Sequence, residues 1–147
     1  MDGMQTPWEL LDELDRPGAL SHAPGRLRSL MAAGCRRLAP LLPQAAGEWL
    51  TAAEQYRVGA ASAADLERVR VAAWDYLGAD SCDFGSPRVL AVRAVICLLF
   101  PDDWGDDWHD VVHPFLYFSN GAGDNQPEQA RLMRESFPEC LGPGDTA

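Results

Sequence analysis

Ser86-Pro87 opens a stretch, Arg88 to Phe100, in which every residue except Arg88 and Arg93 is apolar. A hydroxyl before a proline suits a helix start, because Ser caps a free N–H and Pro lacks the one that would stay unpaired. A helix of this kind has no polar side to give to water, so neighbouring elements must cover it all round. It is also too short to span a bilayer. The stretch therefore predicts a helix over 87–100 running through the middle of a soluble helical bundle.

The rest of the chain supplies the cover. Thr6-Pro7-Trp8-Glu9 has a capping hydroxyl, a proline and a Glu three residues on, which starts a short helix over 7–15, ended by Pro17-Gly18. From Pro24, the positions Leu27, Leu30, Met31, Gly34, Cys35, Leu38 and Leu42 recur at steps of three and four, a one-sided helical stripe. Arg26, Arg28, Arg36 and Arg37 fall on the opposite, solvated face of this reading. Pro40 and Pro43 separate it from a helix over 44–58 that buries Trp49, Leu50, Ala53 and Tyr56 or Arg57 and stops at Gly59. Ser62 with Asp65 caps the next helix, with Leu66, Val69, Ala73, Tyr76 and Leu77 as its buried stripe before Gly78.

Residues 79–85 read as a loop and 111–118 as a shorter helical or irregular stretch, because Pro114 disfavours helix at the residue before it. Ser119 to Asn125, with Gly121 and Gly123, reads as a loop. A final helix from Pro127 to Phe137 turns Ala130, Met133 and Phe137 inward. No strand-like alternation appears. The expected fold is all-α: one domain over 1–141, a bundle of six or seven helices with helix 87–100 central, and a flexible tail over 142–147.

Charge narrows the partners. All 12 basic residues are Arg, against 14 Asp and 8 Glu, giving a net −10 in 147 residues. Residues 1–100 carry ten Arg against twelve acids, while 101–147 carry two against ten, so the acidity belongs to the C-terminal part. Such a surface repels phosphate backbones and attracts basic protein surfaces. With 47% apolar and 23% charged residues the chain is globular, not disordered. The Cys residues, 35, 82, 97 and 140, form no CxxC pair; Cys35 and Cys97 lie in apolar helical patterns and read as core. The residues before Asp15 contain no apolar stretch of signal-peptide length. A reducing cytoplasm is the expected compartment.

Three constellations are chemically suggestive. Asp102, Asp103, Asp106, Asp107 and Asp110 put five carboxylates within nine residues, interleaved with Trp104 and Trp108. Their spacing does not match a calcium loop. Trp anchors within an acidic steering field suit a partner-binding surface, the alternative being a solvated turn with its Trp folded onto the core. His109 and His113 stand four apart, as in zinc-binding helices, with Asp106 a further ligand candidate and Asp110 where a general base would sit. Against that, Asp is shorter than the usual Glu and Pro114 follows directly. Arg93, central in the apolar stretch, must be paired if buried, either structurally or as an anion site. There is no Ser-His-acid motif and no glycine-rich phosphate loop.

Gly25-Arg26-Leu27-Arg28 to Cys35-Arg36-Arg37-Leu38, Ala53-Glu54-Gln55-Tyr56 to Gly59, Ala63-Ala64-Asp65-Leu66, Ala72-Ala73-Trp74 and Gln129-Ala130-Arg131-Leu132-Met133-Arg134-Glu135-Ser136-Phe137 have a familiar order. The chain resembles a set of uncharacterised all-helical proteins of high-GC bacteria, marked by a Cys-Arg-Arg helix, an Ala-Glu-x-Tyr-x-x-Gly turn and that C-terminal segment. The resemblance implies the helical fold and carries over no catalytic residue or cofactor. By size, acidity and helical content the chain is also similar to small helical immunity proteins.

The expected function is that of a non-enzymatic, cytoplasmic protein-binding module without cofactor, of immunity or regulatory type. It would use Asp102, Asp103, Trp104, Asp106, Asp107, Trp108 and Asp110 against a partner with a basic surface, and would bind neither nucleic acid nor membrane. The alternative is a metal-dependent enzyme or sensor using His109 and His113.

Overall fold

The structure, a computed structural model, describes residues 6–15, 24–100, 109–123 and 126–141. The α-helices among these are α1 (Pro7–Asp15), α2 (Pro24–Arg37), α3 (Ala46–Arg57), α4 (Ala63–Leu77), α5 (Pro87–Leu98), α6 (His109–Gly121), α7 (Gln126–Ser136) and the single turn α8 (Pro138–Leu141). Short 3-10 turns follow α2 and α4, at Ala39–Leu41 and Gly78–Asp80. The described residues contain no strand, so the architecture is the expected all-α bundle.

Helix α5 lies at the centre. Val89, Leu90, Ala91, Val92, Ala94, Val95, Ile96 and Leu98 are all buried, and beyond its first residue only Arg88, Arg93 and Cys97 are partly exposed. The helices α2, α3, α4 and α6 pack on it, the α5–α6 pair being the most extensive, while α1 closes the far side against α6, α7 and α8. Leu10, Leu11 and Leu14 of α1 join this core, as do Leu27, Met31 and Cys35 of α2 and Met133 and Phe137 near the C-terminus.

Helix starts follow local chemistry. Glu9 N–H donates to Thr6 Oγ1 at 3.1 Å while Thr6 N–H donates to Glu9 Oε1 at 2.8 Å. The same reciprocal pair joins Ser62 and Asp65 at the start of α4. Ser86 Oγ accepts from Val89 N–H ahead of Pro87. Gly59 after α3 and Gly78 after α4 have φ of +83° and +54°, which a side chain would resist.

Several expectations need correction. Helix α2 ends at Arg37, and Leu38 to Leu42 belong to the 3-10 turn, where Pro40 cannot supply a helical N–H. Arg28 is not on the solvated face: it is 3% exposed. Its spacing of three and seven from Met31 and Cys35 puts it on the same flank as those core residues. Tyr76 is exposed; its ring lies across the molecule's surface, edge-on to Trp49 with 6.0 Å between centroids. Pro114 does not interrupt the chain's path, for α6 runs from His109 through Gly121 and takes in Ser119, which is buried. A mid-helix proline costs about 3 kcal/mol. Burying Val111, Val112, Phe115 and Leu116 outweighs it, at roughly 1.5–3 kcal/mol per large apolar side chain. The 17–18 stop and the 142–147 tail fall outside the described residues.

Candidate functional site

The acidic segment lies largely beyond description: Asp102, Asp103, Trp104, Asp106, Asp107 and Trp108 are outside the described residues, as are the side chains of His109 and Asp110. Its flanks are well placed. Phe100 precedes it after α5, and Val111 follows it in the first turn of α6.

Arginines gather where α5 ends. The last carbonyls of a helix have no intrahelical donor and carry the negative end of its dipole. Arg28, reaching from α2, donates to the Leu98 carbonyl oxygen at 3.0 Å and to that of Phe100, and its guanidinium stacks 4.8 Å from the Tyr56 ring centre. Arg70, from α4, donates to the Leu99 carbonyl oxygen at 2.9 Å and lies 4.5 Å over the Phe100 ring. These contacts fix the helix end and hold Phe100 in place.

Arg93 is arranged differently. Its Nη1 donates to the Ser81 carbonyl oxygen at 2.7 Å. Around its guanidinium carbon stand the rings of Trp74 from α4, Phe84 from the turn before α5, and Phe118 from α6, at 4.9, 5.0 and 4.9 Å. Arg93 is only partly buried, and its charge is met by a carbonyl and three π faces, with no carboxylate among its partners in the described residues. Phe84 and Phe118 also touch each other, and Tyr117 packs edge-on against Phe118. Trp74, Phe84 and Tyr117 are 37%, 45% and 52% exposed, so rings that a core would normally absorb form one face of the molecule.

Beside this face a cleft of about 250 Å³ opens between α4, α5 and α6. Among the described residues, Trp74, Ile96, Phe100, Val111, Pro114 and Phe118 wall it together with Arg93 and Cys97. Burial pushes the Cys97 thiol up to about 12, although the Arg93 charge pulls the other way. The group is a thiol at neutral pH and a poor nucleophile. Burial raises the Cys35 thiol as well, in keeping with its place in the core.

The continuous α6 puts positions 109 and 113 one turn apart on a helix. His113 is exposed and its ring lies 6.3 Å from that of Trp8. Among the described residues no three His, Cys, Asp or Glu side chains gather as a metal site would need, and no helix is long and apolar enough to cross a membrane. The sequence singles out Arg93 as the best candidate for a buried charge, to be paired if buried, but does not show the cage, since Trp74, Phe84 and Phe118 are far apart in the chain.

No family model, curated protein or solved structure matches the chain.

Proposed function

We infer that the protein is a non-enzymatic binding module, an immunity-type or regulatory inhibitor that engages another protein through the aromatic face around Arg93. The observation that carries this is the gathering of Trp74, Phe84 and Phe118 about one guanidinium, with Trp74 and Phe84 exposed and the exposed Tyr117 packed beside Phe118. Trp, Tyr and Arg are the side chains most often responsible for binding energy at protein interfaces, because they offer large area with little rotamer entropy to lose. The net charge of −10 favours a partner with a basic surface and speeds encounter with it. The acidic residues Asp102, Asp103, Asp106, Asp107 and Asp110, with Trp104 and Trp108, add a steering field, bracketed in the sequence by two residues of the cleft wall, Phe100 and Val111.

The test is affinity capture from native lysate at low and high salt, with the wild type beside Trp74→Ala/Tyr117→Ala and Trp104→Ala/Asp106→Asn. A basic protein retained at low salt and lost from the first variant supports this face. Identical capture by all three proteins sinks the reading. The unbroken helix through His113 favours a second reading, metal binding by His109 and His113. Stoichiometric zinc in protein purified without chelator, lost on His113→Ala, would put that reading first.

A further inference from the structure

A guanidinium has five N–H donors, arranged along its edge. At Arg93 the rings of Trp74, Phe84 and Phe118 engage the π-facing charge, and one hydrogen bond runs to the Ser81 carbonyl. No carboxylate or second acceptor takes the other donors among the described residues. Arg28, by contrast, spends its fork on the carbonyls of Leu98 and Phe100. Arg93 is itself part of the wall of the cleft, whose other described residues are hydrocarbon and aromatic apart from the Cys97 thiol.

We propose that this cleft binds a small apolar monocarboxylate, with its carboxylate on the edge of Arg93 and its hydrocarbon body against Ile96, Val111 and Pro114. Each half of such a ligand meets its complement. The carboxylate forms charge-assisted hydrogen bonds with the Arg93 guanidinium, in a geometry that a guanidinium matches two oxygens at a time. The body leaves water for apolar walls, which a phosphate or sulfate cannot do without losing its hydration. The size follows from the volume of about 250 Å³, just under the usual range for drug-sized ligands. The protonated Cys97 thiol adds no repulsion. The chain's net −10 opposes anions at long range, so selection rests on contact at Arg93 and disfavours multiply charged acids. This site stands on the cleft alone and needs no protein partner.

The test is an NMR titration of the full-length, isotope-labelled protein with 3-phenylpropionate, beside its uncharged amide and inorganic phosphate. Saturable shifts are expected at Arg93, Ile96, Cys97, Val111 and Phe118. The amide should bind about tenfold or more weakly, and phosphate should leave these signals unmoved. Arg93→Gln should abolish the preference for acid over amide, and Arg93→Lys should restore part of it. Because the acid and amide are compared on the wild type, the answer survives even if a variant does not fold. Equal affinity for acid and amide overturns the proposal, as do shifts confined to other surfaces or none that saturate. Much tighter binding of a short peptide ending in Phe would assign the cleft to a partner's C-terminus and overturn it too. Failure here leaves the docking reading standing, since that is judged by capture with Trp74 and Tyr117 changed.

Discussion

At Arg28 a buried guanidinium ends on the carbonyl oxygens of Leu98 and Phe100, and the dipole of α5 makes those oxygens better acceptors than isolated ones. Truncation removes the donors and strands the oxygens. Arg28→Ala is therefore expected to destabilise the fold by about 2–3 kcal/mol, measured as a fall in the urea midpoint. Arg36→Ala, on an exposed position of the same helix, should stay within about 0.5 kcal/mol of wild type. Gly34 is a second point where one atom matters. A Cβ there would lie 2.9 Å from Cζ of the buried Phe115 ring. Alanine gains about 1 kcal/mol in helix propensity, yet overpacking costs about 1–3 kcal/mol, so Gly34→Ala should be a net loss. At Gly121 the new Cβ would meet only the far end of Leu90, at 2.8 Å, and the same substitution should cost less.

At the scale of elements, side-chain caps mark where α1, α4 and α5 begin. Asp65 accepts from the Ser62 backbone N–H and its own N–H donates to Ser62 Oγ. The Ser62 backbone bond first, then its hydroxyl, hold the Asp65 carboxyl below its usual range. A lowered folded pKa stabilises the fold above the unfolded pKa and is lost as pH falls through the folded one. The difference in melting temperature between wild type and Asp65→Asn should therefore be present at pH 7 and vanish on acidification below the ordinary carboxylate range near 3.9. Ser62→Ala should cost about 1 kcal/mol at neutral pH. Such starts were legible in the sequence because the cap, the proline and the acid three residues on are all local. The length of α6 was not legible: Pro114 sets a local penalty, whereas the gain comes from packing Val112, Phe115 and Leu116 onto a helix twenty residues away in the chain. Arg28 misled for a related reason, since its charge argues for solvent while its spacing from Met31 and Cys35 argues for the core. The ring cage was out of reach altogether, being assembled from α4, a turn and α6.

For the whole molecule, the wrapping of α5 by α2, α3, α4 and α6 makes this helix the last part that can open alone. Native-state hydrogen exchange should find the slowest amides between Val92 and Ile96, exchanging with the free energy of global unfolding. The first turn of α4, whose Ala63 and Ala64 are exposed, should exchange through local opening. Faster exchange in α5 than in α4 would show that the bundle does not unfold around its centre.

The three rings about Arg93 also have a magnetic consequence. A nucleus held over an aromatic face is shielded by the ring current, and three faces shield the same few guanidinium and methylene protons. Arg93 should thus stand apart from the other eleven arginines in a spectrum, a built-in beacon for whatever approaches that face.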